Sequence, residues 1–153
     1  MRKLLVSCLI AAALATLPAV PASASPGSPA SGTFSPVSMT ITSTRTDGGN
    51  TFITANRTAV VTGSFAGPTT DTVTIVFHSD GTTSVHGQGT CACTVDGISG
   101  TLSYQFVGAG TYPTSASGQY VIQGTGALAG LHAEGPLSGT FQTVTYGGQL
   151  HFS

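Results

Sequence analysis

The clearest pattern in the chain lies between Asp71 and Phe106, where apolar and polar residues alternate with a period of two. That period is the signature of half-buried β-strands. Val73, Ile75 and Phe77 share odd parity, so the odd positions face inward. Ser79-Asp80-Gly81 reads as a three-residue hairpin loop, pairing His78 with Thr82 and Phe77 with Thr83. The inward positions then continue through Val85, Gly87, Gly89, Cys91, Cys93 and Val95. Asp96-Gly97 is a strong two-residue turn signal, which pairs Val95 with Ile98 and switches the inward parity to even numbers. Ile98, Gly100, Leu102, Tyr104 and Phe106 obey that switch. Across this hairpin Cys93 faces Gly100, Cys91 faces Leu102, Gly89 faces Tyr104 and Gly87 faces Phe106. Each large ring therefore meets a glycine, as a strongly curved sheet requires.

The flanking segments predict more of the same. Strands are expected over 32–44, with Met39 and Ile41 alternating against threonines, and over 51–55 and 57–65. Residues 47–50 form a turn, and Gly67-Pro68 breaks the chain before the central region. A loop of small residues over 108–117 leads to a strand over 118–123, one helical turn over 127–131, and strand-like stretches over 132–144 and 148–152. The outcome is an all-β fold: an antiparallel barrel of eight to nine strands. Closure is favoured over a sandwich because it removes sheet edges that a chain so poor in lysine has no means to protect.

The N-terminus changes the picture of where the protein works. Arg2 and Lys3 precede an apolar run from Leu4 to Leu17, then prolines, then Ala22-Ser23-Ala24. This is the layout of a secretory signal peptide cleaved after Ala24, and the run is shorter than the roughly 20 residues of a membrane-spanning helix. The domain plan is a signal peptide over 1–24, a flexible Pro/Ser/Gly spacer over 25–31 and one barrel domain over 32–153, secreted from the cell. Cys8 leaves with the signal. The mature chain keeps Arg45 and Arg57 as its only basic residues against five acids. Without lysines and arginines to displace counterions, nucleic acid is excluded as a partner, and so is an anionic membrane surface.

The segment Gly124-Thr-Gly-Ala-Leu-Ala-Gly-Leu-His-Ala-Glu-Gly135 resembles the GTG-x-L-x-GL-x-G-x-G stretch of the DUF3224 family of uncharacterised bacterial proteins. Thr94-Val-Asp-Gly-Ile-Ser-Gly-Thr-Leu102 resembles a strand-turn-strand of the same family. The chain departs from the pattern at Ala133, where glycine is usual. The family is similar in turn to the allene oxide cyclase and dirigent barrels, so the resemblance implies an eight-stranded antiparallel barrel with a cavity at one end. It implies no reaction, and no residue matches the catalytic positions of the plant cyclases.

Few residues carry chemistry. Cys91 and Cys93 are two apart on one strand, with Cα atoms about 6.6 Å apart in regular extended geometry, the far edge of what a disulfide spans. Two buried thiols packed as small apolar groups are expected; a disulfide, or two soft metal ligands, is the alternative. No second cysteine pair or spaced histidine pair completes a tetrahedral site, so neither metal nor cofactor is expected. His78 and His86 fall on outward positions. Asp47, Asp80 and Asp96 are explained by turns and Asp71 by opening a strand, which leaves Glu134 without a structural role. Glu134 shares a face with His132, and a carboxylate beside an imidazole can orient a general base, so these two are the catalytic candidates. Tyr104, Phe106 and Tyr120 are the candidate ligand-binding residues, lining an interior together with Ile122.

Three functions are consistent with this inventory. One is a secreted barrel binding a small apolar molecule. Another is an isomerase or cyclase-like enzyme in the same cavity, with Glu134 or His132 steering protons. The third is a surface-associated structural module without a small-molecule ligand. The first two call for a void of the usual ligand-pocket size, about 300 Å³ upward. The enzyme reading also requires Glu134 to face that void.

Overall fold

The computed structural model describes residues 26–153, so the expected signal peptide over 1–24, Cys8 with it, lies outside the described residues. Eight strands follow one another in space as they do in sequence: β1 (Ser28–Asp47), β2 (Asn50–Gly63), β3 (Gly67–Phe77), β4 (Thr83–Val95), β5 (Ile98–Thr111), β6 (Ser115–Thr125), β7 (Leu131–Gly139) and β8 (Val144–Phe152). Every neighbouring pair is antiparallel, and β1 pairs with both β2 and β8, closing an up-and-down barrel. A single 3-10 turn, Gly126–Leu128, connects β6 to β7.

The register expected for the central hairpins is the one observed. Phe77 pairs with Thr83, Val95 with Ile98, Cys93 with Gly100, Cys91 with Leu102, Gly89 with Tyr104 and Gly87 with Phe106. Asp96 adopts φ 49° and Gly97 φ 80°, the pair of positive angles that a two-residue hairpin of this type demands. Ile98 keeps its register but stands exposed at the rim.

Several boundaries differ from expectation, each for a physical reason. The spacer over 25–31 is not free: Ser28 to Ser31 pair with β8, and Ala30 is buried. Pro29 is tolerated there because this stretch of β1 has a neighbour on one side only. The strands expected over 51–55 and 57–65 are one strand, since the Asn56 side chain accepts a hydrogen bond from Thr72 on the neighbouring strand instead of making a turn. The loop expected over 108–117 shrinks to Tyr112, Pro113 and Thr114, because glycine, alanine and serine pair well where two twisted strands come close.

Beyond Phe34, the β8-facing edge of β1 has no partner among the described residues. Pro36 and bulges at Val37 and Thr42 interrupt this edge, which blunts it against pairing with other chains. Met39 and Ile41 lie on this unroofed stretch and are about half exposed.

The core sits toward the end of the barrel that holds the Asp96-Gly97 turn. Phe65, Val95, Leu102, Leu128 and Leu131 are almost wholly buried there, with Leu128 of the 3-10 turn inserted against Gly100. A second, smaller apolar cluster, Ala55, Val73 and Ile75, packs with Phe77, Val85 and Phe106 on the β2–β5 wall.

Candidate functional site

Above that floor the barrel is incompletely filled. A cavity of about 120 Å³ extends from Cys91, Cys93 and Leu102 past Tyr104, Phe106, Tyr120 and Ile122 to Leu137, Phe141 and Val144. Its lining is almost entirely apolar. At the same end of the barrel an aromatic chain crosses the loops: Phe77 meets Tyr112 edge-on at 5.5 Å, and Tyr112 meets Phe141 at 5.6 Å. Tyr104, Phe106 and Tyr120 thus all face the interior, as their parity requires, and the structure brings them together. The cavity falls short of the roughly 300 Å³ that the binding and enzyme readings call for, which counts against both for a ligand of ordinary size, because Phe65, Leu128 and Tyr146 fill the lower barrel.

One wall is polar, and its residues form a single cross-strand row. Arg57 on β2 pairs with Asp71 on β3, Asp71 with Gly89 on β4, and Gly89 with Tyr104 on β5. Arg57 donates from Nε to Asp71 Oδ1 at 3.0 Å and from Nη2 to Oδ2 at 2.8 Å. Tyr104 donates its hydroxyl to the same Oδ2 at 2.8 Å. The Asp71 side chain is 1% exposed and that of Arg57 13%. The guanidinium lies between the rings of Phe34 and Phe106, 4.8 and 5.2 Å from their centroids. A Cβ on Gly89 would fall 2.5 Å from that of Asp71, so this glycine makes room for the acid as well as for the facing ring. Burial, and next to it the Asp71 charge, raise the Tyr104 phenol well above its ordinary pKa, which keeps it a donor. With both oxygens of Asp71 occupied by donors, this acid is a structural anchor rather than a free base.

Tyr120 is different. Its side chain is buried, with the residue 6% exposed, yet its hydroxyl has no hydrogen-bond partner. Burial, and then the neighbouring Tyr146, push its pKa up to about 12. The Tyr146 ring stands edge-on at 5.8 Å but is itself engaged, donating to the Thr62 carbonyl at 2.8 Å and accepting from the Phe65 amide at 3.0 Å. Among the described residues the Tyr120 hydroxyl is the one buried side-chain polar atom without a partner, and it belongs to a residue that lines the cavity.

The other sequence candidates are placed elsewhere. Cys91 and Cys93 are buried as expected, but they form a disulfide instead of two thiols. Their Cα atoms are 5.2 Å apart, closer than in a regular extended strand and within the range a disulfide spans. Glu134 is exposed and His132 half-buried, both on the outer face of β7, and neither lines the cavity. Even parity on β7 points away from the interior, since Leu131 and Ala133 are the buried positions. The acid with an interior role is Asp71, in mid-strand rather than at a strand start, and its partner Arg57 carried no sequence signal of its own. Among the described residues no group of three or more metal-ligating side chains is gathered.

A solved structure shares this architecture. It is a protein of unknown function of the DUF3224 family from Shewanella oneidensis MR-1, with a TM-score of 0.64 over 83% of this chain and 98% of that one. The chain has the fold of a DUF3224 protein. Sequence identity to that neighbour is 14%, so the likeness speaks for the DUF3224 fold alone. No family profile and no curated protein matches the sequence. The DUF3224 fold agrees with what the GTGALAGL segment implies: that segment supplies the 3-10 turn and the start of β7, with Leu128 and Leu131 wholly buried in the floor of the barrel.

Proposed function

We propose that this protein is a secreted binding protein for a small, mostly apolar molecule bearing one hydrogen-bonding group, held in the barrel with that group at Tyr120. The unpartnered Tyr120 hydroxyl carries this reading. A buried hydroxyl without a partner costs about 1–3 kcal/mol, and a ligand atom that accepts or donates there recovers it. At about 120 Å³ the cavity is well under the roughly 300 Å³ of a usual ligand pocket and just under the roughly 150 Å³ void that holds benzene, so the ligand is limited to the smallest molecules. A single ring or a short branched chain is the matching size. Export is supported by Arg2, Lys3 and the apolar run before Ala24. The outer face is mixed, with Thr70, Thr72, Gln88 and Gln105 outward beside exposed Val60, Val107 and Val121, and lacks the continuous apolar band of a membrane barrel. The isomerase or cyclase reading loses support because Glu134 and His132 stand outside the cavity.

Phenol and benzene, which differ by one hydroxyl, make a suitable probe pair. Calorimetric titration should show the wild-type protein binding phenol more tightly than benzene, and Tyr120→Phe should abolish the difference. Equal affinities in the wild type would overturn the role of Tyr120. Binding of neither probe would overturn the cavity reading and leave the outer surface as the working part.

A further inference from the structure

We propose that His132 and His151 form a two-imidazole site for a divalent transition-metal ion on the outer wall of β7 and β8. The two residues are 19 positions apart in sequence, but the register places them directly opposite each other. Both face outward, flanking the buried Leu131, Ala133 and Leu150. Their rings face one another with centroids 5.6 Å apart and planes inclined by 22°. Among the described residues no side-chain hydrogen bond engages either ring, whereas His78 bonds Ser84 at 2.8 Å.

The pairing puts two imidazoles within reach of one point on the outer wall. The stacked rings do not yet converge, since imidazole lone pairs lie in the ring planes, so both outward side chains turn about χ1 and χ2 to bring two nitrogens to the separation of about 3.3 Å that ligands each about 2.0–2.1 Å from a zinc ion require. The strand pairing has already fixed the two backbones, so the second imidazole binds as part of a chelate at little further entropic cost. Imidazole nitrogen suits Zn²⁺, Cu²⁺ and Ni²⁺ and discriminates against Mg²⁺ and Ca²⁺, which prefer oxygen. Glu134, the next outward residue on β7, sits opposite Gln149 and is not gathered with the rings, so water completes the coordination shell. An ion held this way ties the C-terminal strand to β7, beside the β8–β1 seam that closes the barrel. The site lies on the outer wall and does not depend on the ligand cavity.

Thermal unfolding of the purified protein with and without Zn²⁺ tests the site, together with titration calorimetry. One ion per chain is expected. The melting midpoint should rise by about 5–10 °C at a concentration a hundredfold above Kd. His132→Asn and His151→Asn should each remove the rise and weaken binding at least tenfold, while the double variant His78→Asn, His86→Asn keeps both. Because both rings are outward, the metal-free midpoints of the single variants report directly on whether folding is intact. A rise that survives in either single variant, that vanishes in the His78, His86 variant, or that is absent from the wild type at millimolar Zn²⁺ would overturn the proposal.

Discussion

Tyr104 reaches across an entire strand to donate its hydroxyl to Asp71, and it does so over Gly89, which lies between the two and offers no side chain in the way. The same carboxylate takes two hydrogen bonds from Arg57 on its other side. The buried network thereby spans four neighbouring strands at one height, with the rings of Phe34 and Phe106 near the guanidinium.

Such a network is costly to break from one side. Asp71→Asn leaves the Arg57 charge buried without its counter-charge and should lower stability by about 3–5 kcal/mol. Replacing both together, Arg57→Met with Asp71→Leu, should recover most of that loss, because no lone charge remains. Urea unfolding of the single and double variants measures both quantities, and a single-variant loss below about 1 kcal/mol would refute the account.

Gly87 faces the Phe106 ring so closely that an added Cβ would lie 2.6 Å from two ring carbons. Gly87→Ala should therefore destabilise by about 1–3 kcal/mol through overpacking. Shortening the ring partner, Gly87→Ala with Phe106→Leu, should give a double variant less impaired than the sum of the two singles. Additive losses would mean that the two positions do not press on each other.

Three interior tyrosines, Tyr104, Tyr120 and Tyr146, have pKa values raised first of all by burial. The unfolded chain releases these protons near pH 10, whereas the folded Tyr120 keeps its own up to about 12. In that window the unfolded state binds fewer protons, so stability should be level up to about pH 10 and fall as pH climbs toward 12. Absorbance titration of the phenolates alongside unfolding curves checks this, and Tyr120→Phe should flatten part of the decline.

The Cys91–Cys93 bridge closes a very short loop, and the chain-entropy contribution of so short a loop is only about 1–2 kcal/mol. Reduction, or the double variant Cys91→Ala with Cys93→Ala, should shift the unfolding midpoint modestly and leave the barrel intact. Complete unfolding on reduction would assign the bridge a much larger role than local stapling.

The sequence was most readable where turn chemistry and alternation reinforced each other. Asp80-Gly81 and Asp96-Gly97 fixed the registers of β3 to β5, and Tyr104, Phe106 and Tyr120 followed into the interior from parity alone. Asp71 was within reach of the same logic, since its odd number placed it inward beside Val73 and opposite Gly89. It was missed because an acid near a strand start is ordinarily a solvated residue. Arg57 needed the β2–β3 register, which the irregular stretch at Ser64, Phe65 and Ala66 does not announce. The disulfide depended on a local shortening of β4 between Cys91 and Cys93, and the His132–His151 pairing on the length of the β7–β8 connection. Neither quantity is written in a local motif.

Closure of the ring through β1 and β8 makes the order of the strands circular. The first and last described strands are neighbours, joined by a ladder that runs from Ser28–Leu150 to Phe34–Val144. A linker between those ends, with a cut at the exposed Asp96-Gly97 turn, would leave every strand with the neighbours it has now. The barrel's identity resides in who sits beside whom, and the polypeptide could begin at another of its turns without changing that arrangement.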